Sequence, residues 1–235
     1  MSRHAILLCE GYHDRAFLSG WLEHVRGWSK PESTSGRVRD PLGRPLAGGR
    51  FGFERNRAFA VVAPCGGWPA IRKCAGDHLA QAALNGDQTG NIDALIACYD
   101  DDVDKDFERS MEDMVRQSGQ PSDRASLPVQ VLRLRATDDR WHPSLGGLVA
   151  QAFAEAHPRR WPAVATWLAS RDDGAQDASQ DGKSAKWSVM AGWYARQGCD
   201  GFLRHEIWCD VAVRARLEQH LSALDFDRLA EQIEA

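Results

Sequence analysis

Short apolar runs alternate with segments of helical periodicity along most of this 235-residue chain. Residues 4–9, Ala58 to Ala63, residues 93–99 and Pro128 to Ala136 each read as a strand. Three of them are nearly continuous hydrophobic runs, as in a parallel sheet covered on both faces. In the fourth, Arg133 and Arg135 alternate outward, the pattern of an edge strand. Between the runs, apolar residues recur at three- and four-residue spacing. Phe17, Leu18, Trp21, Leu22 and Val25 form such a stripe and predict a helix over 12–26. Further helices are predicted near 68–84, 104–117, 145–169, 184–198, 210–223 and 226–233. Strands alternating with helices imply βαβ units, hence an α/β fold with a parallel sheet flanked by helices.

Two segments break the pattern. Residues 28–57 hold five glycines, three prolines and seven Lys or Arg against three acids, and read as a basic hairpin or long loop inserted in the domain. Residues 171–182 place Asp172, Asp173, Asp177 and Asp181 among Gly, Ser and Gln, a loop composition. The division expected from these features is residues 1–140 as an α/β domain and 141–235 as a helical region packing on it.

The ends of the apolar strands carry the chemistry. The first runs into Glu10-Gly11-Tyr12-His13-Asp14, where Gly11 permits a sharp turn into the next helix. The third runs into Asp100-Asp101-Asp102-Val103-Asp104-Lys105-Asp106, five carboxylates in seven residues. Ligands of open α/β sheets bind at the carboxyl ends of strands. Carboxylates gathered there repel one another unless a cation neutralises them. Alternation puts Asp100 and Asp102 on one side, so that pair can share an ion. Asp14 has a bland alternative, complementing the helix dipole, and Asp104 and Asp106 have another, capping the next helix. Cys65, before Gly66-Gly67, lacks an oriented base, and Trp141-His142 reads as packing.

The order Glu-Gly-x-x-Asp after the first strand, an apolar Val61-Val62 strand leading to Gly66-Gly67, then Asp-x-Asp after a later strand resembles the Toprim domain of topoisomerases, primases and related nucleases. Among these the chain is most similar to small stand-alone and overcoming-lysogenization-defect (OLD) type proteins, over about residues 4–136. The resemblance implies a Rossmann-like sheet with the basic segment as an insertion and a helical C-terminal tail. It makes Glu10 a metal ligand or general acid/base, Asp14 its supporting carboxylate, Asp100 and Asp102 the Asp-x-Asp ligands of Mg²⁺ or Mn²⁺, and Asp104 an additional ligand. OLD-type nucleases also use a basic residue in the later half, for which Lys183 and Lys186 are the candidates. The chain has no Walker A motif, so a partner ATPase would act in trans.

Metal-bound carboxylates suit phosphodiester hydrolysis, so the expected activity is a metal-dependent nuclease acting on DNA or RNA, in bacterial defence or repair. Arg37, Arg39, Arg44, Arg50, Arg55 and Arg57 suit phosphate contacts, although an ordinary basic loop or a docking surface for an acidic protein has the same composition. The alternative from another class is a non-catalytic module that binds nucleic acid or a partner ATPase and regulates it. A Mg²⁺-dependent phosphotransferase is disfavoured, because Glu-Gly stands after the first strand where the phosphatase pattern has Asp-x-Asp.

Net charge is -4, and the basic segment leaves the remainder near -8. Six cysteines show no Cys-x-x-Cys spacing, which argues against a structural zinc site and for a reducing compartment. No stretch is long and apolar enough to span a bilayer and no leader pattern opens the chain, so the expectation is a cytoplasmic protein without membrane contact, acting alone or as a homodimer.

Overall fold

The computed structural model describes residues 3–31, 49–85, 92–118, 127, 129–169 and 198–234. Its centre is a five-stranded sheet: β1 (Arg3–Cys9), β2 (Phe51–Arg55), β3 (Ala58–Pro64), β4 (Ala94–Asp100) and β5 (Val129–Leu134), in the order β2-β3-β1-β4-β5. β1 lies parallel to both β3 and β4, and β4 lies parallel to β5. Every residue of β4 is buried, as its unbroken apolar run requires.

One strand departs from the expected all-parallel sheet. Phe51-Gly52-Phe53-Glu54-Arg55, within the basic segment, forms an edge strand antiparallel to β3. A tight turn through Asn56, in the left-handed region at φ 54°, joins the two strands. The segment thus contributes a strand that hairpins with β3 beyond its own end, while residues 32–48, where a hairpin internal to 28–57 would turn, lie outside the described residues.

Helices cover both faces. On one face, α2 (Trp68–Asn85) and α3 (Lys105–Ser118) pack on Ile6, Leu8, Val61, Leu95, Ala97 and Tyr99. The other face takes α1 (Tyr12–Gly20) and the described helices after β5. Among the described residues these are α4 (Leu145–Ala156), α5 (Trp161–Ala169), α6, α7 (Val211–Ala223) and α8 (Phe226–Glu234). α6 runs from Cys199–Gly201 through a π-helical turn at Phe202–Glu206 to Ile207–Cys209. Phe17, Leu18, Leu148, Phe153, Phe202, Leu217 and Phe226 are all at 0–1% exposure in one apolar cluster spanning both sides of residue 140. Burying side chains of this size contributes about 1.5–3 kcal/mol each.

The helix expected over 145–169 is two helices. Pro158 cannot continue α4, and the chain turns through residues 158–160 before α5 begins. The helix expected over 12–26 keeps its extent but widens, its last turn being π-helical over Trp21–Val25. The helix expected at 184–198 lies outside the described residues. Trp21, Trp28 and Trp208 are buried, in line with tryptophans that serve the core. Among the described residues, no helix is long and apolar enough to cross a membrane.

Candidate metal centre

β1 and β4 are neighbours, and the helices that follow them lie on opposite faces of the sheet. The crevice between their carboxyl ends is the topological switch point where open α/β sheets bind ligands. Glu10 stands just past the end of β1. Its carbonyl accepts the N–H groups of Gly66 at 2.9 Å and Gly67 at 2.7 Å, which ties the tip of β1 to the turn after β3. That turn needs its glycines, since Gly66 and Gly67 have φ values of 90° and 114°, open only to residues without a Cβ at little cost.

With its backbone fixed, Glu10 reaches across to β4, where its Oε1 accepts the N–H of Asp100 at 2.7 Å. Asp14 turns back to the same corner, and its Oδ2 accepts the N–H of Gly11 at 2.8 Å. This is a capping contact in the first turn of α1, and Asp14 is buried in making it.

Asp100 is the last residue of β4 and is 1% exposed. A buried carboxylate is costly unless it accepts hydrogen bonds. Its Oδ1 accepts the N–H of Leu145 at 2.8 Å, at the amino end of α4, where the helix dipole favours negative charge. Ser144 caps that helix, its Oγ accepting the N–H of Gly147 at 3.3 Å. Asp102 follows in the turn after β4. One carboxylate oxygen from each of Glu10, Asp100 and Asp102 lies within 4.8 Å of the other two. Three oxygen donors of this kind fit a hard divalent cation such as Mg²⁺ or Mn²⁺.

The other acids of the cluster have separate work. Asp104 Oδ1 accepts the N–H groups of Asp106 at 3.0 Å and Phe107 at 2.8 Å, so it caps α3 and lies outside the three-carboxylate group. Asp101 is held by Arg133 of the edge strand β5 at 3.1 Å and by Arg135, just past its end, at 3.4 Å. Asp106 pairs with Arg109 at 3.2 Å on the exposed face of α3.

A cleft of about 620 Å³ opens beside Glu10, lined also by Tyr12, His13, Asp14, Cys65 and Gly66. Burial, and then the neighbouring Cys74, push the Cys65 thiol well up, so it stays protonated at neutral pH and is no nucleophile. His142 belongs to this rim although its sequence reads as packing. Its Nδ1 is 3.9 Å from Asp102 Oδ2 and 3.0 Å from Ser144 Oγ. Its place two residues before a helix cap was legible, but its approach to Asp102 was not.

The arginines expected to act together are separated. Arg50 precedes Phe51, which pairs with Val62 toward the carboxyl end of β3. Arg55 pairs with Ala58 at the opposite end and makes an ion pair with Glu234 at 2.9 Å. Arg57 follows in the same turn. A strand of seven residues is about 20 Å long, so Arg55 and Arg57 lie that far from the carboxylates. Arg37, Arg39 and Arg44, with Lys183 and Lys186, lie outside the described residues.

Arg15, by contrast, is a basic residue near the rim that the sequence did not single out. It is buried beside Phe51, 4.1 Å from the ring centroid, and its Nη1 donates to Gly49 O at 2.8 Å. Its Nη2 meets Asp200 at 3.2 Å.

No family model matches the chain, and no curated protein matches its sequence. Among solved structures, a hypothetical protein of Pyrococcus horikoshii OT3 superposes over 99% of this chain and 100% of its own, with a TM-score of 0.66 and 15% identity. That likeness establishes a shared α/β fold over the whole length. The C-terminal region of the Xanthomonas campestris OLD protein aligns over 97% of each chain at 15% identity, with a TM-score of 0.37. A second structure of that region gives 0.36 at 16% identity.

Proposed function

We propose that this chain is a metal-dependent phosphodiesterase of the Toprim type, a nuclease acting on DNA or RNA. The observation that carries the reading is the convergence of Glu10, Asp100 and Asp102 at one switch point, with ligand oxygens within 4.8 Å of each other. The sequence resemblance supplies the class, and the sheet order puts its motif residues together.

Glu10, Asp100 and Asp102 would hold Mg²⁺ or Mn²⁺, which when bound polarises a phosphodiester and lowers the pKa of a water. The chain's own groups do the remaining work. Asp100 is oriented by the Leu145 N–H, and Glu10 by the Asp100 N–H, so neither carboxylate is free to swing away from the centre. Glu10 faces the open cleft and is placed to take or return a proton. His142, beside Asp102, is positioned to meet a phosphate oxygen entering from the α4 side. Arg50 supplies a cation near the cleft, and Arg37, Arg39 and Arg44 would extend the contact along a nucleic-acid backbone. In this reading the protein works in bacterial defence or repair, with or without an ATPase acting in trans.

The test is a cleavage assay on supercoiled plasmid, linear duplex, single-stranded DNA and RNA with Mg²⁺ or Mn²⁺. Glu10→Gln and Asp100→Asn proteins serve as comparisons. Losing a group that only orients a metal ligand costs about 10–100-fold, so losing a ligand carboxylate should cost at least that much. Cleavage that survives both substitutions unchanged, or is insensitive to EDTA, would overturn the proposal.

A further inference from the structure

The helices α1 and α6 cross in van der Waals contact at Gly20. A Cβ there would meet Trp208 Nε1 at 2.1 Å and Arg204 O at 2.6 Å, so a larger residue would force the helices apart. Just beyond the crossing both helices widen into π-helical turns, Trp21–Val25 on one and Phe202–Glu206 on the other. Such turns are rare and are concentrated at functional sites.

The widened turns bring two imidazoles together. His24 Nε2 and His205 Nδ1 are 3.3 Å apart, although 181 residues separate them in the chain. Cys209 lies one turn after His205, with its Sγ 3.8 Å from His205 Nδ1 and 3.5 Å from Nε2. One ligand atom from each of the three residues lies within 4.8 Å of the others. In a tetrahedral zinc site, bond lengths of about 2.0–2.1 Å to nitrogen and about 2.3 Å to sulfur set the ligand atoms about 3.3–3.6 Å apart. About His205 Nδ1 the spacings are 3.3 Å to His24 and 3.8 Å to Cys209, so a small closing movement of the thiol completes the set.

We propose that His24, His205 and Cys209 form a binding site for a transition-metal ion of the Zn²⁺ class, with a fourth position left for water or an added ligand. Two imidazoles and a thiolate prefer Zn²⁺ or Co²⁺ to Mg²⁺ or Mn²⁺, the reverse of the oxygen-only set at the strand tips. The two sites lie at opposite ends of α1, and 14 residues from Glu10 to His24 at about 1.5 Å per residue place them about 20 Å apart. The neighbouring cations do not stand unopposed. Arg204 is joined to Glu23, and Arg214 to Glu218 at 2.6 Å. His205 and Cys209 are exposed and His24 is half-buried, so an ion can enter from solvent. By joining α1 to α6, the ion would fasten the later helices to the first βα unit. The spacing argument against zinc fails here because only the His205–Cys209 half of the set is local in sequence, and it is not a Cys-x-x-Cys pair.

The test uses the full chain, stripped with EDTA and titrated with Co²⁺ alone, then with Zn²⁺. One equivalent of Co²⁺ should produce visible ligand-field bands and a near-ultraviolet thiolate-to-cobalt charge-transfer band. Zn²⁺ should bleach both, and excess Mg²⁺ should not. Cys209→Ser should abolish the charge-transfer band, and His24→Ala should weaken binding at least about tenfold. Asp100→Asn should leave the spectrum unchanged, which separates this site from the carboxylate centre. Zn²⁺ should also slow alkylation of Cys209 in the unaltered chain, a measurement that needs no variant. Absence of the charge-transfer band, its persistence in Cys209→Ser, or alkylation unaffected by Zn²⁺ would each overturn the site.

Discussion

Glu10 and Asp100, 90 positions apart in the chain, are joined by a 2.7 Å hydrogen bond from the Asp100 N–H to the Glu10 carboxylate. The bond holds the acidic tips of two adjacent strands in register and turns a repulsive cluster into an ordered one. It also makes the carboxylates interdependent, because moving either strand tip disturbs both ligands. A cation at this centre should therefore stabilise the whole sheet.

That expectation is measurable by melting. Asp100→Asn removes one of three neighbouring negative charges while keeping an oxygen for the Leu145 N–H. Without metal, the variant should melt at or above the unaltered chain. Mn²⁺ at about 100 times its Kd contributes about 2.7 kcal/mol of stability to a protein that binds it. For a chain of this size that is a rise of about 5–10 °C in Tm for the unaltered protein, shrinking sharply in the variant. Equal shifts in the two proteins would place the cation elsewhere.

Gly20→Ala tests the close helix crossing. The added methyl would overlap the Trp208 ring and the Arg204 carbonyl, and Trp208 is fixed by its own bond to Leu203 O at 2.8 Å. Overpacking of this kind costs about 1–3 kcal/mol. Urea unfolding should show a lower midpoint with little change in slope. A midpoint at or above that of the unaltered chain would mean that the helices part without penalty.

Glu234 carries a pH dependence with a definite sign. Burial raises its pKa, but the hydrogen bonds from Arg26 at 2.8 and 2.9 Å, with Trp28 and Arg55 beside them, outweigh it and leave the carboxyl below its usual value. Because the folded value lies below the unfolded one, this contribution is complete above the unfolded pKa of about 4.3 and is lost as pH falls through the folded value. Glu234→Gln should cost about 1.5–3 kcal/mol near neutral pH, as for hydrogen bonds to charged groups. The difference from the unaltered chain should narrow below about pH 4. A gap that stays constant on acidification would assign the effect to packing.

The strands and carboxylates were legible for one physical reason. Parallel strands covered on both faces are nearly pure apolar runs, so β1, β3 and β4 end abruptly where polarity begins, and Glu10, Asp100 and Asp102 mark those ends. β2 was harder to place, since an edge strand of five residues within a Gly- and Pro-rich segment carries little periodicity. For Asp104 the local capping rule gave one of two readings, since capping is decided within three residues, while the resemblance gave the other, an additional ligand. What stayed hidden were meetings between remote segments: His142 beside Asp102, Arg15 against Phe51, and His24 facing His205. The first and last depend on how the chain after β5 returns to the sheet, the second on where the edge strand β2 lies beside α1, and single-chain periodicity encodes neither.

The hydrogen bond from Leu145 to Asp100 bears on how such a chain can change over generations. Recombination near residue 140 would part the buried carboxylate at the end of β4 from the N–H of the helix that tempers its charge. The strands and the later helices are thus heritable only as a pair, and a graft of one half onto another scaffold must bring a new N–H donor for Asp100.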